Sequence, residues 1–185
     1  LEAFIPFERE ISVIAARSAD GHVESFDVTE NVHRDHILKI SRAPADISDA
    51  LAAQARAVAE KIAHALDYVG VLAVEMFVVA GNGGPHVLVN EIAPRVHNSG
   101  HWTLDGASIS QFEQHIRAIA GWPLGKPVRH GRVVMTNLIG DDINDYERWL
   151  TVPGATVHLY GKGPARPGRK MGHVTQVMPE RPKNG

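Results

Sequence analysis

The fourteen residues from Val89 to Trp102 contain most of the side chains in this sequence that could do chemistry. They read VNEIAPRVHNSGHW and place an acid, Glu91, and Arg95 beside two histidines and two asparagines, directly after an apolar run. A strand that ends in so many polar groups is typical of a site rather than a connector, because binding residues concentrate on loops held by a rigid scaffold. A second acid, Glu75, lies upstream within another apolar run.

The two acids are predicted to face each other across a β-hairpin. The runs at 71–79 (VLAVEMFVV) and 87–92 (VLVNEI) have the composition of strands, and GNGGP between them is a strong turn signal. A hairpin symmetric about Gly83 sets Val79 against Val87 and Glu75 against Glu91, with Cβ atoms roughly 4.5–5.5 Å apart. Two such carboxylates repel, and a divalent cation between them removes the penalty. Mg²⁺, which takes oxygen ligands and substrate phosphates, fits this spacing. The alternative is an exposed hairpin with two solvated acids, and the apolar neighbours of Glu75 argue against it.

Composition narrows the class of protein. The chain has 185 residues, of which 44% are apolar, which suits one domain or slightly more. Its net charge is −2 and it lacks a basic block, so a nucleic-acid partner is not expected. The absence of cysteine excludes disulfides and thiolate metal sites. We expect no membrane span and a cytoplasmic enzyme, and the strand-like start at Leu1 suggests the middle of a longer protein.

Hydrophobic periodicity predicts an α+β fold. Strands are expected at 10–16, 22–28, 133–139, 156–160 and 170–177, and the polar stretch 31–39 is expected to be irregular. A helix is predicted over 48–66 with Ser48 as its N-cap, and its apolar face is expected to contain Leu51, Ala55, Val58, Ile62 and Leu66. A second helix starts near Ser108 or Ser110, and its predicted buried stripe is Ile109, Phe112, Ile116 and Ile119. The Pro/Gly-rich segment 123–131 is the candidate domain boundary.

Three sequence elements support a family resemblance. NEIAPRVHNSGHWT with the following GASISQFEQHIRAI, RPGRKMGH at 166–173, and FEREISVIAAR at 7–17 span nearly the whole chain. Together they resemble the ATP-grasp enzymes, and among these the 5-(carboxyamino)imidazole ribonucleotide synthases. The resemblance implies the second half of an ATP-grasp domain at residues 1–125, followed by a small β-rich C-terminal domain at 126–185.

The resemblance also implies a reaction. ATP phosphorylates bicarbonate to carboxyphosphate, and 5-aminoimidazole ribonucleotide captures the carboxyl group, a step of purine biosynthesis. It implies Mg²⁺, with Mn²⁺ as an alternative, and a homodimer. The chain alone is expected to be incomplete, because the lysines that hold the nucleotide phosphates would precede it. Another ATP-grasp ligase, or a nucleotide-binding fragment without catalysis, remains an alternative.

The resemblance assigns roles to individual residues. It places ATP beside eight positions, namely Glu2, Ala3, Phe4, Ile5, Glu10, His33, Asn90 and Glu91, and metal at Glu75 and Glu91. It makes Arg95, His97 and Asn98 the catalytic group, facing bicarbonate and the ribonucleotide, and it makes Arg166, Arg169 and Lys170 a clamp for the ribonucleotide phosphate.

Each assignment has a structural alternative. Without the resemblance, Glu10 is an ordinary strand-edge charge, His33 a loop histidine, Arg95 a surface ion-pair partner and RPGRK a solvated basic turn. The i,i+4 pair of His97 and His101 could suggest zinc, but such pairs normally lie on a helix, and Asn98-Ser99-Gly100 disfavours one.

Overall fold

One nine-stranded antiparallel sheet organises the protein. The computed structural model describes residues 4–180. Its strands are β1 (Arg9–Arg17), β2 (Val23–Ser25), β3 (Thr29–Arg34), β4 (Ile37–Ala43), β5 (Gly70–Val79), β6 (His86–Ala93), β7 (Arg132–Ile139), β8 (Ala155–Leu159) and β9 (Lys170–Met178). The helices are α1 (Asp49–Ala65), α2 (Thr103–Gly106) and α3 (Gln111–Ile119), with 3₁₀ helices at Asn98–Gly100 and Gly140–Thr151.

The sheet runs without interruption through both predicted parts of the chain. The spatial order of its strands is β6-β5-β1-β3-β4-β7-β9-β8, and β2 pairs with β1 beside this path. The junction lies between β4 and β7, where Ala43 faces Val133 and Ile40 faces Thr136. Lys39 on β4 reinforces it, since its Nζ donates to a carboxylate oxygen of Asp142 at 2.5 Å. The predicted boundary at residue 125 therefore divides a chain whose backbone hydrogen bonding is continuous.

Alternation along the central strands gives the sheet two different faces. Ile11 and Val13 of β1 pack with Leu72 and Val74 of β5 against α1. The alternate residues, among them Ile14, pack with Ala73 and Trp102 on the opposite face. Because successive strand side chains point to opposite faces, the two apolar layers enclose β1 and β5. The second layer is covered by the segment from Val96 to α3, which contains most of the predicted site.

The helix caps were predicted correctly, but the predicted helix faces were partly wrong. Ser48 accepts a hydrogen bond from the Leu51 amide and begins α1, whose buried residues are Leu51, Ala55, Ala59 and Ala63. Leu66 lies beyond the helix and is 55% exposed. The alanines allow α1 to lie close against the sheet, so the helix uses its small residues where larger ones were expected.

Helix α3 departs further from its predicted stripe. Ser110 caps it by accepting from the Glu113 amide, as the capping-box spacing predicts. However, Ile116 is 52% exposed, and Phe112 and Ile119 are also exposed. The helix instead buries Gln111, Gln114 and Ala118. Its inner face makes hydrogen bonds to loops, which a hydrophobic pattern does not detect.

The prediction of an irregular stretch at 31–39 was wrong, because β3 and β4 form a hairpin there. The turn uses Asp35 and His36, which both have a positive φ, 50° and 61°. Such two-residue hairpin turns usually use Asn-Gly or similar pairs, so the turn lacks its usual sequence signal.

Within residues 4–180, no helix combines the length and the apolar character needed to cross a membrane.

Candidate active site

A β-bulge brings the two predicted metal ligands opposite each other. Near the turn the register differs by one residue from the symmetric prediction, so that Val79 faces His86 and Met76 faces Val89. The register then shifts between Glu75 and Met76, and Glu75 faces Glu91 as predicted. Asn90 is the extra residue that absorbs this shift, and it is exposed beside the two acids. Bulges often redirect a side chain next to a site.

The environment of Glu75 favours a cationic partner. Burial raises the pKa of this carboxyl, and the neighbouring charge of Glu91 raises it further. Glu75 is partly buried, whereas Glu91 is exposed. Both effects disfavour the charged form, and a bound cation would reverse them. The pair therefore fits a divalent ion held by carboxylate oxygens, and it is a poor arrangement for two free acids.

His97 is fixed beside Glu75 by a hydrogen bond on each ring nitrogen. Its Nε2 lies 3.0 Å from Glu75 Oε1. Its Nδ1 lies 2.9 Å from the Ser99 hydroxyl and accepts from the Ser99 amide at 3.3 Å. Burial, followed by the positive charge of Arg95, lowers the pKa of His97 from 6.5 to about 4. The ring is therefore neutral near pH 7, and it donates its single proton from Nε2 to the carboxylate.

Gln111 holds the segment that carries His97. Its side-chain oxygen accepts from the His97 amide at 2.9 Å, and its nitrogen donates to the His97 carbonyl at 2.7 Å. The same nitrogen lies 2.9 Å from His101 Nδ1. Gln111 is fully buried, so these bonds are shielded from water. Gln111 was not among the predicted site residues, since a glutamine at a helix start has no distinctive signal in the sequence.

A cavity of about 510 Å³ opens onto the acids. Five predicted site residues line it together with parts of the β3–β4 turn and of the β8–β9 loop: His33, His36, Ile37, Leu38, Glu75, Glu91, His97, Lys162, Gly168 and Lys170. Burial lowers the pKa of Lys170, and the charge of Glu75 opposes that effect. Lys162 was not predicted. It lies between two glycines, and its ammonium lies 5.0 Å from the centre of the Tyr160 ring.

A second pocket lies next to the first along β1 and β3. The Glu10 carboxylate and His33 Nδ1 are in contact there, and His33 lines both cavities. Phe7 also lines this pocket and stacks on Phe77 with ring centres 4.5 Å apart. The resemblance had assigned Glu10 and His33 separately to the nucleotide. Their contact gives the two assignments a common location, one strand away from the acids.

The remaining predicted residues occupy varied positions. Arg95 is exposed, and its Nη1 donates to the adjacent Val96 carbonyl at 3.0 Å. Asn98 exchanges two hydrogen bonds with the buried Asn137 of β7, at 2.9 and 2.7 Å. Its amide thus joins the site loop to the C-terminal part of the sheet, in addition to any contact with substrate.

The residues predicted to contact the nucleotide base and the ribonucleotide phosphate are less enclosed than those beside the two acids. Arg166 is exposed and Arg169 is partly buried, and neither lines the cavity that Lys170 enters. Phe4 is 91% exposed, and Ile5 is partly buried ahead of β1. Glu2 and Ala3 lie outside the described residues.

A further cluster of possible metal ligands lies on the far side of the loop. Asp105, His158 and His173 each offer an atom within 4.8 Å of the others. However, the two imidazoles are stacked, with an interplanar angle of 16°, and His158 already bonds Asp105 at 2.9 Å. Stacked rings direct their nitrogens side by side rather than towards one point. This cluster therefore joins α2 to β8 and β9, and its geometry does not favour a metal centre.

Comparison with known families agrees with the motifs. The ATP-grasp domain family matches residues 1–112, and the phosphoribosylaminoimidazole carboxylase C-terminal domain matches residues 133–183. N5-carboxyaminoimidazole ribonucleotide synthase from Brucella melitensis biotype 1 is 58% identical over 97% of this chain and 49% of its own length. The enzyme of the same name from Escherichia coli is 47% identical over 94% of this chain and 47% of its own length.

Solved structures show the same similarity. The N5-carboxyaminoimidazole synthase of Aspergillus clavatus, in complex with ADP and 5-aminoimidazole ribonucleotide, superposes with a TM-score of 0.89 at 39% identity, over 96% of this chain and 48% of that one. The N5-carboxyaminoimidazole ribonucleotide synthetase of Thermus thermophilus gives 0.87 at 48% identity, with 96% and 48% covered. The chain spans about half the length of the relatives that it matches.

Proposed function

Because this chain belongs to the ATP-grasp family, we propose that it forms the metal- and substrate-binding half of a 5-(carboxyamino)imidazole ribonucleotide synthase. The observation that supports this most directly is the cavity where Glu75 and Glu91 meet His97 and Lys170. It combines two carboxylates suited to a divalent cation with groups suited to anionic substrates. The similarity to relatives of that name supports the choice of reaction.

In the proposed reaction, an oxygen of bicarbonate attacks the γ-phosphorus of ATP, which forms carboxyphosphate and releases ADP. The exocyclic amine of 5-aminoimidazole ribonucleotide then attacks the carboxyl carbon, loses a proton, and releases inorganic phosphate. No covalent bond to the protein is needed. The protein contributes position and electrostatic stabilisation, which are the main effects in phosphoryl transfer.

Glu75 and Glu91 are the proposed ligands of Mg²⁺, or of Mn²⁺ in its place. When bound, the ion would neutralise charge on the ATP phosphates. Asn90, the exposed bulge residue beside them, is proposed to contact the nucleotide. Glu10, in the adjacent pocket, is the proposed contact to the sugar of ATP, and His33 beside it is a further proposed contact to the nucleotide. Phe4 and Ile5 are proposed to pass the base.

The opposite side of the cavity is proposed for the other substrates. Lys170 and Lys162 supply positive charge towards the acids, which suits carboxyphosphate and the ribonucleotide. Arg95 is exposed in the loop after β6 and is proposed to bind bicarbonate. His97 and Asn98, in the same loop as Arg95, are proposed to orient the reacting groups. Arg166 and Arg169 would hold the ribonucleotide phosphate at the exposed turn. Dimerisation is a further expectation from the family resemblance.

The test uses this chain joined to the part of the Brucella melitensis relative that it does not cover. Phosphate release from ATP is measured with bicarbonate, with and without 5-aminoimidazole ribonucleotide. We expect strong stimulation by the ribonucleotide and a loss of at least about 100-fold in Glu91→Gln, because one charged ligand is removed. Glu113→Gln, which changes an exposed acid on α3, is the matched control.

Two outcomes would contradict the proposal. Full Mg²⁺-dependent turnover in Glu91→Gln would remove the metal assignment. ATP turnover that does not respond to 5-aminoimidazole ribonucleotide would move the chain to another ATP-grasp ligase. Calorimetric titration of the chimera with Mg·ADP separates these cases from a protein that binds nucleotide without catalysis.

A further inference from the structure

A row of buried polar side chains crosses the sheet and ends at the candidate site. Its members are at most 5% exposed, and each hydrogen-bonds the next: Ser41 on β4, Asn31 on β3, Ser12 on β1 and Ser99 in the 3₁₀ helix. The bonds are 2.9, 2.9 and 2.8 Å long. The Ser99 hydroxyl then meets His97 Nδ1 at 2.9 Å. The row therefore connects β4, three strands from β5, to the ring that contacts Glu75.

The hydrogen atoms of this row can point in only one direction. The Asn31 side-chain nitrogen can only donate, so the Ser12 oxygen accepts from it and the Ser12 hydroxyl donates to Ser99. The Ser99 hydroxyl hydrogen is then directed to His97 Nδ1, which must accept it, and the Ser99 backbone N–H approaches the same nitrogen at 3.3 Å. The Asn31 oxygen accepts from Ser41. Each group donates towards the site, and the last donor is His97 Nε2–H, facing Glu75.

These polar groups are unusual for their position. Ser12 faces Thr29 on one side and Glu75 on the other within the sheet, on the face where Ile14 belongs to the apolar core. Apolar residues there would avoid the desolvation of buried hydroxyl and amide groups. A fully satisfied polar network is instead a rigid and specific arrangement. Its direction is set by an asparagine, which offers a donor to one serine and an acceptor to the other.

We infer that Asn31, Ser12 and Ser99 are positioning residues, which hold His97 in its Nε2–H tautomer and aim that proton at Glu75. The role of Glu75 as a metal ligand rests on the proposed function, but the tautomer of His97 does not. The row orients Glu75 through His97, because a carboxylate that accepts a hydrogen bond from His97 is held in place for its other partner. None of the three positioning residues needs to touch substrate.

Reversing the row tests this inference. In Asn31→Asp the carboxylate only accepts, so Ser12 must donate to it, and the Ser99 hydroxyl must donate to Ser12 rather than to His97. At pH 8 the chain, labelled with ¹⁵N-histidine, should then show His97 moving from the Nε2–H towards the Nδ1–H tautomer. His97→Gln identifies its signals. Ser99→Ala, which removes the donor without adding charge, should shift the tautomer in the same direction and by less.

Thr29→Val is the matched control. Thr29 is fully buried, faces Ser12 across the sheet, and accepts from Trp102 Nε1 at 3.0 Å, but its hydroxyl is outside the row. It should change stability and leave the His97 shifts unchanged. Unchanged ¹⁵N shifts in both Asn31→Asp and Ser99→Ala would overturn the inference, as would an equal change in Thr29→Val. If Asn31→Asp does not fold, Ser99→Ala alone decides.

Turnover gives a second, separate readout. In the chimera, Ser99→Ala should lower kcat by about threefold or more, with a smaller effect on the KM for ATP, because Ser99, unlike Asn31, does not line the pocket proposed for the nucleotide. A chimera that lacks carboxylation altogether would defeat the proposed function and leave the tautomer measurement valid. A normal kcat in a variant whose tautomer has shifted would mean that His97 is positioned without consequence for the reaction.

Discussion

His173 should make the stability of this protein strongly dependent on pH. Its side chain is 1% exposed, and its Nδ1 lies 2.8 Å from the Tyr160 hydroxyl. Burial, followed by the nearby His158 and His101, lowers the pKa of His173 from 6.5 to about 3. The unfolded chain therefore binds a proton at this residue below pH 6.5, whereas the folded chain binds it only near pH 3. The free energy of unfolding consequently falls as the pH falls through this interval.

The size of the effect follows from the pKa difference. Each pH unit below the pKa of the unfolded chain lowers the free energy of unfolding by about 1.4 kcal/mol for a histidine that stays neutral in the folded state. Lowering the pH from 7.5 to 4.5 should therefore lower this free energy by about 2.7 kcal/mol through His173 alone. A typical domain is stable by only about 5–15 kcal/mol, so this loss is easily measured. Urea unfolding of the chain at several pH values, followed by circular dichroism, gives the free energy directly.

The decisive comparison is with His173→Asn. Asparagine can place an acceptor near the former Nδ1 for Tyr160, but it does not titrate. The variant is expected to be less stable at pH 7.5, and its disadvantage should shrink by about 2.7 kcal/mol at pH 4.5. His130→Asn, at an exposed histidine, should follow the wild-type curve. Parallel curves for wild type and His173→Asn would refute the assignment of a buried, neutral His173.

Two further predictions concern contacts that join parts of the fold. Asp142→Ala should lower the free energy of unfolding by about 1–2 kcal/mol in urea titrations, because it removes the partner of Lys39 and the acceptor of the Ile139 amide. Asp141→Ala, at the neighbouring exposed acid, should change this free energy by less than about 0.5 kcal/mol. Equal effects of the two substitutions would contradict the reasoning. Gln111→Leu should lower the free energy of unfolding by about 3 kcal/mol, because the backbone amide and carbonyl of His97 lose their buried partners. The amides of residues 96–103 should then exchange their hydrogens faster. Unchanged protection there would count against the role of Gln111.

The paired acids could be predicted from sequence because two independent signals agree there. Strand composition and the glycine-rich turn locate the hairpin, and symmetry about Gly83 pairs Glu75 with Glu91. The register nearer the turn could not be predicted, because a bulge at Asn90 has no signal in the alternation on either side. The correct acid pair thus resulted from a symmetric loop in the prediction and from a bulge in the structure.

The residues that were missed act through buried hydrogen bonds to distant parts of the chain. Gln111 is buried on a helix face where Phe112 and Ile116 were expected, because its two polar atoms satisfy a loop 14 residues away in sequence. Ser12 and Asn31 look like ordinary strand residues until the sheet order places β1 beside both β3 and β5. Such contacts depend on long-range topology, which periodicity within a single segment does not reveal.

The continuous sheet has a consequence for how the site is assembled. Lys162 and Lys170 come from the last quarter of the chain, whereas Glu75 comes from β5, and the pairing of β4 with β7 fixes one group relative to the other. The entropy cost of bringing these charges together is therefore met largely when the chain folds rather than when a ligand enters the cavity. The positive and negative sides of the cavity are preorganised. A hinge between β4 and β7 would break the sheet, so the two sides of the cavity are held at a fixed separation by paired backbone.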